Sequence, residues 1–224
     1  MNPLFTRTPR RRGLPLAATV ASIALVTMPT AAHAAPALRT AAGSAACQGH
    51  AATIVVTKHS AHTVRGTDHR DVIVVRDAGH VVRARGGRDL VCGSAGHDSI
   101  YGGAGDDTVV AGDGNDDVQG GAGDDTLEGN QGDDDIQGNS GSDTEDGDGG
   151  NDTVDGNAGN DDVDGNQGDD DVNGGIGDDT VDGGQGEDEV DGGDGQDDCS
   201  DDSAPSVCQD DQGEDESGDS NSQA

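Results

Sequence analysis

Aspartate recurs at every ninth residue along the second half of the chain. Each of these residues stands two positions after a glycine, so each carboxylate follows a flexible turn. Carboxylate and backbone carbonyl oxygens are the donors that hard divalent cations take, and Ca2+ accepts about six to eight of them. The spacing therefore predicts a row of similar cation sites. The twelve candidate ligands are Asp98, Asp107, Asp116, Asp125, Asp134, Asp143, Asp152, Asp161, Asp170, Asp179, Asp188 and Asp197.

The aspartates belong to twelve uninterrupted nonapeptides that span residues 93–200. Numbered from the first glycine, each unit has Gly at position four and Asp at position six, and position eight is apolar in eleven of the twelve. Because side chains alternate along a strand, positions seven to nine predict a short strand with position eight facing inward. Positions one to six are expected to form the turn, in which glycine at position two, or asparagine in the case of Asn130, Asn139, Asn157 and Asn166, permits positive φ. The apolar residues are Ile100, Val109, Val118, Leu127, Ile136, Val154, Val163, Val172, Val181, Val190 and Cys199.

Two consecutive nonapeptides predict one coil, and stacked coils predict an all-β parallel β-solenoid. Aspartates two units apart then lie one strand spacing apart, so Asp98 and Asp116 would flank one ion. Ordering a nonapeptide costs more entropy than the burial of one valine returns, so the repeat needs a further ligand. Mg2+ and zinc fit an oxygen-only site less well. An EF-hand is excluded because Val118 stands where its sharp-turn glycine is needed.

The unit 102–110, with the sequence GGAGDDTVV, resembles the RTX (repeats-in-toxin, or haemolysin-type) calcium-binding nonapeptide. The resemblance covers about half of the chain strictly, and about two thirds with degenerate units. It implies a right-handed parallel β-roll with Ca2+ in the turns and the twelve aspartates as ligands. The departures are Asn or Asp148 at position two, Glu145 at position eight and an N-terminal export signal.

Composition excludes several classes of protein. The 224 residues carry a formal charge of -34, and from residue 93 onward there are 42 acidic residues and no lysine or arginine. Such a surface repels nucleic acid and anionic membranes and attracts cations. With one Tyr and one Phe in the chain, a conventional globular core is not expected. No His-Glu-x-x-His motif is present, and a non-enzymatic protein is predicted.

The chain divides into five segments. Residues 1–34 predict a Sec-type signal peptide, with twin-arginine export less favoured, so the protein is expected to be secreted. Residues 35–46 form a linker, 47–92 an N-terminal cap of degenerate repeats, 93–200 the roll, and 201–224 a closing loop with a disordered acidic tail. Counting back in nines from residue 93 puts five apolar residues of the cap at position eight. These are Val55, Val64, Ile73, Val82 and Val91.

Four cysteines accompany the export signal, which predicts disulfides in an oxidising compartment. Three pairings are possible. Cys47 with Cys92 and Cys199 with Cys208 are favoured because each pair then lies at one end of the array; a zinc site is the alternative.

The expected function is that of a secreted, non-catalytic protein that folds on binding extracellular Ca2+. The alternative is an adhesive or cell-envelope module that meets wall polysaccharide or a mineral surface through Ca2+. The unit with Glu145 is expected to be a frayed coil, or else a hinge or partner-specific feature.

Overall fold

The structure, a computed structural model, describes residues 46–200. The predicted signal peptide, nearly all of the linker and the acidic tail lie outside the described residues. Within residues 46–200 there is no helix, and hence none that is long and apolar enough to cross a membrane. The described part of the chain is all-β, a parallel β-solenoid of about 8 turns.

Nineteen strands form three sheets in this part of the chain. The two-stranded sheet contains β1 (Ala46–Cys47) and β2 (His50–Ala51). The eight-stranded sheet contains β4 (Thr63–Arg65), β6 (Val81–Gly86), β8 (Ser99–Ala104), β10 (Asp117–Ala122), β12 (Asp135–Ser140), β14 (Thr153–Ala158), β16 (Asp171–Ile176) and β18 (Glu189–Asp194). The nine-stranded sheet contains β3 (Ile54–Val56), β5 (Val72–Val75), β7 (Leu90–Cys92), β9 (Thr108–Asp113), β11 (Thr126–Gln131), β13 (Thr144–Gly149), β15 (Asp162–Asp164), β17 (Thr180–Asp182) and β19 (Asp198–Ser200).

The two large sheets are parallel, and in the repeat array their neighbouring strands are two nonapeptides apart in sequence. Val118 lies opposite Ile100 on one side and Ile136 on the other. In the second sheet Leu127 lies opposite Val109. The predicted coil of two nonapeptides, with one strand in each sheet, is therefore confirmed.

The strands are longer than predicted. Most run for six residues, from position seven of one unit to position three of the next, as β9 does, so only positions four to six remain as the turn. The prediction that positions one to six form the turn was wrong. The strand bends near position two, but its backbone keeps pairing with the neighbouring strand there, as Gly121 does with Gly103. The bend uses positive φ at position two, as expected for Asn130, Asn139, Asn157 and Asn166, and also at Asp148.

Position eight forms a single apolar column between the two sheets. Its members from Ile100 to Val181 are buried, and Val190 and Cys199 pack against them partly buried. Glu145 occupies the same column with 1% of its surface exposed. The predicted frayed coil is absent, since β13 is a regular strand between β11 and β15. Burial, with Asp161 and Asp143 nearby, raises the pKa of Glu145 to about 9.

The degenerate repeats continue the same two sheets, but their first strand is shifted. Ile73, Val82 and Val91 are buried as predicted, and Val64 packs against them partly buried. Val55 was predicted to face inward and is 41% exposed. Ile54, one residue earlier, lies opposite Ile73. A shift of one residue reverses the two faces of a strand, and here the shift lets Val56 fill the core.

The hairpin β1–β2 packs on the outer face of the nine-stranded sheet. Cys47 forms the predicted disulfide with Cys92, with the Cα atoms 5.8 Å apart. Around it lie the outward residues Val72, Val74 and Leu90, which form a second, smaller apolar cluster. The hairpin therefore covers the outer face of β5 and β7. Cys199 is also disulfide-bonded, and its predicted partner Cys208 lies outside the described residues.

Candidate metal centre

The position-six aspartates form two columns, one at each edge where the chain passes between the sheets. In each column the backbone N–H of one aspartate donates to Oδ1 of the aspartate two units later, as Asp98 donates to Asp116 at 2.7 Å. All twelve predicted residues belong to these columns. One column contains Asp71, Asp89, Asp107, Asp125, Asp143, Asp161, Asp179 and Asp197. The other contains Asp98, Asp116, Asp134, Asp152, Asp170 and Asp188.

The second carboxylate oxygen, Oδ2, turns into the interior of the roll. A β-carbon built on Gly102 would stand 2.7 Å from Oδ2 of Asp107, so the absence of a side chain at Gly102 lets this oxygen lie against the strand. Buried acceptors are normally matched by donors, and leaving one unmatched costs free energy. In residues 46–200, Oδ2 is buried without a hydrogen-bond partner in Asp89, Asp107, Asp116, Asp125, Asp134, Asp143, Asp152, Asp161, Asp170, Asp179 and Asp197.

Backbone carbonyls approach the same carboxylates from the turns. A β-carbon on Gly159 would stand 1.5 Å from the carbonyl oxygen of Gly141 and 2.6 Å from Oδ1 of Asp161. The same convergence recurs in later turns, as at Gly177 with Gly159 O and Asp179 Oδ1. Glycine at position four thus brings a carbonyl of one coil beside a carboxylate of the next, and this donor set contains oxygen alone.

A sequence model of the RTX calcium-binding nonapeptide repeat matches the chain in four copies. The matched residues are 83–118, 110–145, 146–172 and 164–199, which together make up more than half of the chain. The chain belongs to the RTX calcium-binding nonapeptide repeat family. RTX nonapeptide repeats bind Ca2+, and proteins that carry them are usually extracellular or secreted and typically non-catalytic. No curated protein and no solved structure matches the chain.

The oxygen donors of this RTX chain fit a calcium ion. No three His, Cys, Asp or Glu side chains meet as a ready metal cage within residues 46–200. A bound ion would therefore draw on backbone carbonyls as well as carboxylates, which Ca2+ does readily. The Oδ2 atoms without a hydrogen-bond partner are buried acceptors, and a cation would satisfy acceptors of this kind.

The electrostatics of the columns also favour a cation. Burial is the largest cause that raises the pKa values of these aspartates, and neighbouring aspartates raise them further, while the N–H bond to Oδ1 works against the rise. The pKa reaches about 6 in Asp107, Asp116, Asp134, Asp161 and Asp170 and about 7 in Asp125 and Asp152. Ionised columns of this kind need compensating positive charge.

The first aspartate of each column is different from the rest. Oδ2 of Asp98 accepts hydrogen bonds from the Ser94 hydroxyl at 2.7 Å and the Ser94 N–H at 3.0 Å. Oδ2 of Asp71 accepts the same pair of bonds from Thr67. A serine or threonine at position two therefore donates to Oδ2 the hydrogen bonds that Oδ2 of the later aspartates does not receive. The predicted ligand Asp98 is thus already satisfied by hydrogen bonds.

Sequence reasoning left Asp71 and Asp89 out of the candidate set, although both belong to the columns. Asp89 lies in the degenerate repeats, yet it is 1% exposed, its Oδ2 has no hydrogen-bond partner, and its N–H donates to Asp107 Oδ1. Its place at position six of a degenerate nonapeptide was the sequence feature that could have predicted it as a ligand. In the other column His80 stands at position six, where its N–H donates to Asp98 Oδ1 at 3.4 Å, so no carboxylate precedes Asp98.

Proposed function

We propose that this chain is a secreted, non-catalytic calcium-binding protein whose roll folds when it meets extracellular Ca2+. The position-six aspartates listed above would be the ligands, with Asp89 added and Asp98 contributing least. The observation that carries the proposal is the row of buried Oδ2 atoms that no donor reaches. Calcium, when bound, supplies the positive charge that offsets these carboxylates.

The chain's own residues explain why folding would depend on the ion. Each nonapeptide adds one small apolar side chain to the core but also stacks a carboxylate on those of the units two before and two after it. Position-four carbonyls, as in Gly141, would complete the coordination beside carboxylates such as that of Asp161. Because the unfolded chain lacks this arrangement, binding to the folded form alone makes stability rise with ion concentration.

The predicted signal peptide supports a role outside the cell. A chain that crosses a membrane unfolded would meet Ca2+ only after export, where calcium modules work at about 10⁻⁴–10⁻³ M. The disulfide between Cys47 and Cys92 agrees with an oxidising compartment. Recovery of the protein from the medium, with an N-terminus near residue 35, would test this part of the proposal.

The main experiment is a calcium titration of the secreted protein, followed by far-ultraviolet circular dichroism. We expect a weak strand signal in chelator, a cooperative gain on adding Ca2+, and a much smaller gain with Mg2+ because Mg2+ demands a tighter octahedral shell. Asp134→Asn combined with Asp152→Asn should shift the midpoint to higher Ca2+. An identical spectrum with and without chelator would contradict the proposal.

A second function, calcium-dependent adhesion to wall polysaccharide or mineral, has its own support. Glu128, Asp146, Asp164 and Asp182 stack in register on the outer face of the nine-stranded sheet, which makes a ladder of carboxylates at the strand spacing. Retention on cell wall or on calcium carbonate should then require Ca2+. Replacing the three aspartates of the ladder by asparagine should abolish retention and leave the strand signal intact; equal retention of both proteins would rule this function out.

A further inference from the structure

Glu145 is a carboxylate inside the apolar column of the roll. Its strand, β13, lies between β11 and β15 in the nine-stranded sheet. Glu145 is opposite Leu127 of β11 and opposite Val163 of β15. Pairing on both sides fixes the register, so the side chain cannot turn outward without reversing its whole strand. Only 1% of the residue is exposed. The acid is therefore held in the interior by the same hydrogen-bond ladders that hold the valines of the other units.

The Glu145 carboxylate is aimed at a second carboxylate. Oε1 of Glu145 and Oδ2 of Asp143 lie 2.0 and 2.6 Å from one point, the place where a β-carbon on Gly138 would stand. Within residues 46–200 neither oxygen, nor Oε2 of Glu145, has a hydrogen-bond partner. Glycine at position 138 leaves room for this approach. Two buried carboxylate oxygens thus converge, and within the described residues neither receives a hydrogen bond.

We propose that Glu145 and Asp143 hold a calcium ion inside the roll beside Gly138, in addition to the ions in the turns. Two carboxylates provide the charge, and backbone carbonyls would provide further oxygen donors. At position one of other coils such carbonyls turn inward, as Gly120 O lies 2.7 Å from the β-carbon place of Gly102, and Gly174 O lies 2.7 Å from that of Gly156. No third acidic, His or Cys side chain joins the pair within residues 46–200, so carbonyls are needed.

This interior site differs from the repeated turn sites in its ligand set. Position eight is apolar in the other eleven units of the array, so the site occurs once in residues 93–200. It shares Asp143 with the turn sites, and Glu145 is the ligand that the turn sites lack. The acidic residue in the apolar column would thus be a ligand for one Ca2+ ion.

The test is to count bound Ca2+ by native mass spectrometry on the full secreted chain and its variants. Glu145→Val installs the residue that Val154 and Val163 carry at position eight, and Glu145→Gln keeps the shape without the charge. Both should bind one ion fewer than the wild type. Asp135→Asn is the control, since it removes an exposed acid from β12, the strand that carries Gly138, and should leave the count unchanged.

The outcomes separate this inference from the proposed function. If the wild type binds Ca2+ and both Glu145 variants bind the same number of ions, the interior site does not exist and Glu145 is a buried acid neutralised by a proton. If the wild type binds no Ca2+ at all, the proposed function fails with it. The glutamine variant decides the matter should the valine variant not fold.

Discussion

At the scale of single residues, the two oxygens of each position-six carboxylate have separate roles. Oδ1 accepts a backbone N–H from the neighbouring coil and so belongs to the fold, whereas Oδ2 has no donor in most units. The same atom is satisfied by Ser94 in Asp98 and by Thr67 in Asp71. One oxygen of the carboxylate thus serves the fold, and the other is the oxygen that we propose binds Ca2+. The residue at position two decides whether this second oxygen already accepts hydrogen bonds.

This division predicts opposite effects of one substitution with and without calcium. Asp134→Asn should stabilise the calcium-free roll by about 1–3 kcal/mol, because it removes a buried charge that no donor reaches. It should weaken Ca2+ binding because a ligand charge is lost. Urea denaturation in chelator and calorimetric Ca2+ titration measure the two effects.

The matched control is Asp98→Asn, whose Oδ2 already has two hydrogen bonds from Ser94. It should change the Ca2+ titration much less than Asp134→Asn does. If the two variants lose Ca2+ binding equally, the assignment of Oδ2 as the ligand half of the carboxylate is wrong.

At the scale of elements, glycine at position one allows a strand to pass close to the carboxylate column. β10 continues through Gly120 at this position instead of stopping at position nine, and that continuation places Oδ2 of Asp125 against the backbone. The degenerate repeats follow the same plan, with Gly66 beside Asp71 Oδ2. The strand bend and the carboxylate site are therefore one structural unit.

Enlarging such a glycine should disrupt both features. In Gly120→Ala the new β-carbon would stand 2.5 Å from Asp125 Oδ2, and we expect a loss of about 1–3 kcal/mol in the free energy of unfolding measured in Ca2+. Gly86→Ala is the control, since its β-carbon meets nothing closer than 3.7 Å. Thermal melts should separate the two variants; similar melting temperatures would show that the close approach relaxes without cost.

At the scale of the whole molecule, we expect charge rather than core volume to decide when the roll is stable. The apolar core is one column of small side chains, flanked by two columns of buried carboxylates. Any positive partner that neutralises these columns should therefore favour the folded state. Calcium is one such partner, and the proton is another.

The pKa shifts predict the pH dependence of the calcium-free protein. The folded pKa values of Asp125 and Asp152 are raised to about 7, above the ordinary 3.8, so the folded state binds more protons than the unfolded state. This stabilisation is fully present below about pH 3.8 and is lost as pH rises through about 7. Decalcified protein should show more strand signal at pH 5 than at pH 8.

With saturating Ca2+ the trend should reverse, because protons compete with the ion for the same carboxylates. Circular dichroism across this pH range, with and without Ca2+, checks both signs. A calcium-free strand signal that grows from pH 5 to pH 8 would contradict the buried, ionisable columns.

The repeat by itself determined the period, the apolar column, the two aspartate columns and the positive φ of residues such as Asn130. In a solenoid each coil contacts only its neighbours, so a single spacing of two nonapeptides sets nearly every long-range contact. The tertiary structure alone decided the one-residue shift at Val55, the position of the hairpin on the outer face, and the direction of each carboxylate oxygen. Those features depend on how closely backbones approach and on which donors lie within reach, as at Gly138 and Glu145, and no periodicity encodes such distances.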